Sequence, residues 1–86
     1  MQVKDNVFVI TGGGRGLGRG MAESLAKQGG KLALIDLNQT ALDEAVASCK
    51  AIGGDAKGYI GNITDESAVE ATFAQIKADF GQINGL

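Results

Sequence analysis

The stretch Ile10-Thr11-Gly12-Gly13-Gly14-Arg15-Gly16-Leu17-Gly18-Arg19-Gly20 decides how this chain is read. An apolar run, Val7-Phe8-Val9-Ile10, leads into it, and a helical pattern from Met21 to Gln28 leads out. A buried strand, a glycine-rich turn and a helix start, in that order, make a cradle for phosphate. Glycines let backbone N–H groups approach an anion with no Cβ in the way. The helix N-terminus adds about half a positive charge. A flexible Arg-Gly-Gly tract would not be placed between a buried strand and an amphipathic helix.

Further along the chain the same alternation recurs. The first helix is expected from about Leu17 to Gln28, with Leu17, Met21 and Leu25 as its apolar stripe, widened by Ala22 and Ala26. Gly29-Gly30 closes it with residues suited to a left-handed cap. Leu32-Ala33-Leu34-Ile35 is a second apolar strand, ended by Asp36. Asn38 is the expected N-cap of a second helix whose stripe is Leu42, Ala45, Val46, Cys49 and Ile52. Ala56 to Ile60 is a weaker third strand, interrupted by Gly58. Thr64 is the expected cap of a third helix, in which Val69, Phe73, Ile76 and Phe80 repeat at helical spacing up to Gly81.

Strands alternating with longer helices predict an α/β fold: a parallel sheet with crossover helices, β-α-β-α-β-α. Right-handed crossovers put the first two helices on one face, and a return past the first strand puts the third on the other. The expected architecture is the first half of a Rossmann-type doubly wound sheet, strand order 3-2-1 with a truncated fourth strand beginning at Ile83.

The totals narrow the function classes. Eighty-six residues suit one small domain, and a net charge of −2 offers no basic excess for nucleic acid. One cysteine, Cys49, excludes a disulfide framework and suits a reducing, cytoplasmic setting. Lys4, Asp5 and Asn6 interrupt any early apolar segment, and no run approaches the roughly 20 residues of a membrane span. No metal site is assigned.

Three phosphate-binding spellings compete for the glycine turn. Walker A has its glycine gap from Gly13 to Gly18, but Arg19-Gly20 replace the required lysine and hydroxyl. G-x-G-x-x-G fails in every register; after Gly12 and Gly14 the third glycine's place holds Leu17, and after Gly14 and Gly16 it holds Arg19. T-G-x-x-x-G-x-G fits, as Thr11-Gly12, then Gly13-Gly14-Arg15, then Gly16-Leu17-Gly18.

With that spelling the chain resembles the short-chain dehydrogenase/reductase family along its whole length, and in wording most nearly the 3-oxoacyl-[acyl-carrier-protein] reductases. Phe80-Gly81-Gln82-Ile83-Asn84-Gly85-Leu86 is similar to the family's lead into its fourth strand. The resemblance implies a nicotinamide dinucleotide cofactor, with Gly12, Gly14, Gly16 and Gly18 around its phosphates and the Leu17 backbone N–H on the pyrophosphate.

Asp36 stands 24 residues after Gly12, at the carboxyl end of the second strand. A carboxylate there accepts from the adenosine ribose hydroxyls and repels a 2′-phosphate. Leu37 follows it and belongs to the same expected site; the competing reading is an ordinary strand-end turn through Leu37-Asn38. The resemblance gives Arg15 a second meaning, since a basic residue there often accompanies NADP use, although it equally serves the pyrophosphate. Asp36 reads the 2′ position more directly, so NAD is favoured and NADP is the alternative. Asn62-Ile63 stands where the family usually has Asp-Val around the adenine; the Asn62 amide oxygen still accepts, and the Ile63 N–H donates. Arg19 is expected on a solvated helix face, Tyr59 in strand packing, and Cys49 as a small buried hydrophobe.

The family's chemistry needs a Tyr with a Lys four residues later, plus a Ser and an Asn. Tyr59 is the only tyrosine, Ile63 stands four residues after it, and there is no histidine. No catalytic residue is assigned. Two expectations follow: the cofactor-binding part of a short-chain dehydrogenase/reductase, truncated before its catalytic part, or a stand-alone nucleotide-binding or structural module. On the first, a missing C-terminal half or self-association is expected to cover the open first strand.

Overall fold

The computed structural model describes residues 3–12, 14, 16–61 and 63–84. Six elements alternate: β1 (Val7–Thr11), α1 (Gly16–Lys27), β2 (Lys31–Asp36), α2 (Gln39–Ile52), β3 (Asp55–Ile60) and α3 (Glu66–Phe80). All strand pairs are parallel and the sheet is ordered β1-β2-β3, with Val7 opposite Lys31 and Lys31 opposite Asp55. The fold is therefore α/β and Rossmann-like.

The two apolar runs form strands because both of their faces are covered. Phe8, Ile10, Leu32 and Leu34 point to one layer, where they pack with Ala22, Ala26, Leu42, Ala45 and Cys49 of α1 and α2. Val9, Ala33 and Ile35 point the other way, to Ile76 of α3, flanked by Phe73 and Phe80. This alternation is the period-2 geometry of a strand, and it puts α1 and α2 on one face and α3 on the opposite face. β3 lies at an edge and buries only Ala56 fully. Its Gly58 has a packing reason: a Cβ there would fall 2.8 Å from Leu42 Cγ, so α2 sits where a larger residue would be.

Three sequence expectations give way. Of the expected α1 stripe, Ala22 and Ala26 are buried and Leu25 packs against the core, but Leu17 and Met21 are 89% and 56% exposed. α1 packs through its alanines because α2's exit crosses it closely, and a Cβ on Gly54 would lie 2.6 Å from Ala26 Cβ. Ile52 is also on the surface. Asp65, not Thr64, caps α3, its carboxylate accepting from the Ala68 N–H at 3.2 Å. Asn38 caps α2 as expected, accepting from the Ala41 N–H at 2.9 Å, and Gly53 and Gly81 close their helices in the left-handed conformation.

After α3 the chain returns to β1. The Asn84 N–H donates to the Val7 carbonyl at 2.8 Å, and the Val7 N–H donates back to Asn84 Oδ1 at 2.8 Å. Gln82 Nε2 donates to the Asp5 carbonyl. These bonds lie along the edge of β1 not paired with β2.

Candidate functional site

The glycine loop leaves β1 at Thr11 with left-handed backbone at Gly12 (φ 66°), and α1 begins at Gly16, also left-handed (φ 57°). A Cβ at either would meet no protein atom within 4 Å. Backbone conformation, with open space beside it, accounts for glycine at both positions. Gly14 differs. It is buried, and a Cβ would fall 2.8 Å from Asp36 Oδ2 and 3.1 Å from the backbone of Ala41 and Leu42.

Asp36 is the one buried charged residue among those described, at 7% exposure. Its Oδ2 accepts from the Gly14 N–H at 3.0 Å and its Oδ1 from the Asn38 N–H at 3.1 Å. Its carbonyl accepts from the Gly61 N–H at 3.2 Å, which joins the exit of β3 to the same residue. The strand-end turn through Leu37-Asn38 and the contact with the glycine loop are thus both present. One carboxylate ties together the loop, the start of α2 and the end of β2.

Around it, Gly12, Ile35, Asp36, Leu37, Gly61 and Ile63 line a recess of about 120 Å³. Leu37 and Ile63 are exposed and form its apolar walls. Arg15 and Asn62 lie outside the described residues. A second, mostly apolar cavity of about 100 Å³ lies next to it, bounded by Thr11, Gly61, Thr72 and Phe73. A separate groove of about 360 Å³ runs past Gly14, Gly16, Arg19, Asn38 and Glu44. Gly18 lines a further groove of about 480 Å³ along β1, with Val9, Met21 and Phe73.

Arg19 does not occupy a merely solvated face. Its Nε bonds Glu23 Oε2 at 3.3 Å and its Nη1 lies 3.9 Å from Glu44 Oε2 across the helix pair. Ser48 Oγ donates to the same Glu23 oxygen. The Ser48 hydroxyl first, and Arg19 second, hold the Glu23 carboxyl below its usual range. Burial, reinforced by Glu23, pushes the Cys49 thiol up, which suits an inert core position. Tyr59 donates to Asp79 Oδ2 at 2.7 Å on the α3 side; burial and that carboxylate push its ionisation upward, opposite to what a general acid/base needs.

The sequence reading set the turn through Asn38 and the loop site as alternatives where Asp36 takes part in both, and it missed the groove position of Arg19 and Glu44. The short spacing of Asp36 and Asn38 carried the first signal. Nothing in the spacing of α1 and α2 predicts the second, which depends on the helix crossing.

The chain's relatives fit this geometry. The sequence profile described as short chain dehydrogenase matches residues 6–86. The chain is 39% identical over 83 residues to levodione reductase of Leifsonia aquatica, covering 94% of this chain and 31% of that enzyme. It is 32% identical over 84 residues to the 3-oxoacyl-[acyl-carrier-protein] reductase FabG of Escherichia coli K12, covering 98% and 33% respectively. Among solved structures, NAD+-bound xylitol dehydrogenase superposes with a TM-score of 0.93 at 36% identity, over 98% of this chain and 32% of that one. The chain spans about a third of the length of the relatives it matches. Among the described residues no helix is long and apolar enough to cross a membrane.

Proposed function

The chain belongs to the short-chain dehydrogenase family, and from that premise we propose that it is the cofactor-binding part of an NAD(P)-dependent oxidoreductase, with NAD as the preferred cofactor. The observation that carries the reading is the buried Asp36 carboxylate, fastened to the Gly14 N–H beside the open, left-handed Gly12 and Gly16.

The residues present fit such a cofactor. The space beside Gly12 and Gly16 admits phosphate against backbone N–H groups at the start of α1. Asp36 stands at the carboxyl end of β2, where ligands of open α/β sheets bind. Leu37 and Ile63 wall a recess of the polarity that suits an adenine ring. Leu17, exposed, contributes its backbone at the first turn of α1 and no core packing. Arg15 and Asn62 complete the proposed set by sequence position. Bound there, the nicotinamide supplies the hydride donor or acceptor for a ketone, 3-oxoacyl or alcohol substrate. This chain's residues bind and orient the dinucleotide; none of them is assigned to proton transfer.

On this reading the remaining two thirds of the protein covers the open side of β1. The exposed Leu17 and Met21, and the groove along Val9 and Phe73, supply an apolar surface for it. The bond from Asn84 to Val7 on the free edge favours a next strand beside β1, giving the doubly wound order 3-2-1-4. The test is calorimetric titration of the chain with NAD, NADP and ADP-ribose. Tighter binding of NAD and ADP-ribose than of NADP is expected. Absence of binding by all three would remove the cofactor reading, leaving a structural module.

A further inference from the structure

We propose that the Arg19–Glu44 ion pair, in the groove beside the glycine loop, is a specificity-determining pair that sets how the site responds to a phosphate on the adenosine ribose. The inference rests on the dinucleotide reading above. Its starting point is adjacency. The two N–H groups bonded to the Asp36 carboxylate belong to Gly14 and Asn38. Both of these residues also line the groove of about 360 Å³ that contains Arg19 and Glu44. A substituent on a sugar hydroxyl held at Asp36 therefore extends into that groove.

The guanidinium of the groove is already paired. Among the described residues Arg19 is the groove's cation, and two carboxylates act on it. Glu23, itself fixed by Ser48, holds the guanidinium from the α1 side at 3.3 Å, and Glu44 meets it from α2 at 3.9 Å. Two carboxylates thus engage one guanidinium. A 2′-phosphate entering here meets a guanidinium that is already engaged by two carboxylates. Glu44 is the partner nearest the solvent, at 64% exposure, so its removal alters charge while leaving the core untouched. Discrimination against 2′-phosphate then has two parts: Asp36 at the hydroxyl, and Glu44 acting through Arg19 beyond it.

The test is calorimetric titration of the full chain and its Glu44→Gln and Arg19→Gln variants with NAD, NADP and 2′,5′-ADP. The quantity read is the ratio of the NADP and NAD dissociation constants. Glu44→Gln is expected to shift that ratio about threefold to tenfold toward NADP and to tighten 2′,5′-ADP, as a guanidinium held by Glu23 alone meets the phosphate. Arg19→Gln is expected to shift it the opposite way. A ratio unmoved by both variants overturns the proposal while NAD binding stands, as does equal weakening of NAD and NADP, which marks a structural role only. A wild-type chain that binds none of the three ligands overturns the dinucleotide reading and this proposal with it.

Discussion

The Gly14 N–H donates to Asp36 Oδ2 at 3.0 Å, and a Cβ on residue 14 would fall 2.8 Å from the same oxygen. The bond and the absence of a side chain are one requirement, because the loop reaches the carboxylate only as bare backbone. Gly14→Ala should destabilise the fold by roughly 1–3 kcal/mol, since backbone of Ala41 and Leu42 at 3.1 Å blocks a retreat in the other direction. Urea unfolding of the variant checks this. The same substitution should weaken dinucleotide binding beyond what the stability loss explains, measured well below the unfolding midpoint.

Asp36→Ala removes the acceptor of two N–H groups, one of them buried. A stability loss of about 1–3 kcal/mol is expected from the orphaned donors. On the proposed reading the carboxylate also opposes a 2′-phosphate, so the preference for NAD over NADP should fall. Competitive titration of the two dinucleotides gives the ratio, and an unchanged ratio would exclude Asp36 as the reader of that position.

Gly58→Val tests the contact between β3 and α2. The added Cβ would meet Leu42 at 2.8 Å and Val46 at 3.3 Å, so overpacking outweighs the better strand propensity of valine. A loss of roughly 1–3 kcal/mol in chemical denaturation is expected. A stabilised variant would mean that α2 yields at this point.

Asp79 carries the clearest pH signature. The Tyr59 hydroxyl first, and Gln75 second, hold its carboxyl below the ordinary range. A depressed folded pKa contributes stability above the unfolded value of about 3.9, lost as pH falls through the lower folded value. Tyr59→Phe removes the main cause, so the Asp79 titration midpoint should move upward, as followed by carboxyl-carbon chemical shifts. Tyr59 has the opposite sign: its raised pKa contributes below about pH 10 and is lost at higher pH.

The strands were legible because β1 and β2 are apolar on both faces, a pattern few other elements produce. The helix stops were legible because Gly53 and Gly81 adopt backbone that other residues avoid. The buried side of α1 was legible only in part: Ala22, Ala26 and Leu25 were in the expected stripe, but so were Leu17 and Met21. Leu17 and Met21 outrank alanine in any reading by hydrophobicity, but close crossing of backbone selects Ala22 and Ala26. Thr64 and Asp65 are both good caps and adjacent, so one-dimensional reading does not separate them. In the site, the position of Asp36 on β2 was readable from its spacing, and its bond to Gly14 was foreshadowed only by the abundance of glycine. The bridging of Arg19 between α1 and α2 follows from a helix crossing that no spacing encodes.

Asn84 gives Val7 both of its bonds, one through the main chain and one through the side-chain amide. In a strand each residue turns its N–H and C=O to the same edge, and alternate residues face opposite edges. The first rung of the unpaired edge of β1 is thereby filled, and Val9 and Thr11 hold the next two. On the proposed doubly wound reading, a fourth strand beside β1 takes its register from these two bonds, so a single asparagine sets which of its residues turn toward α3 and which toward α1.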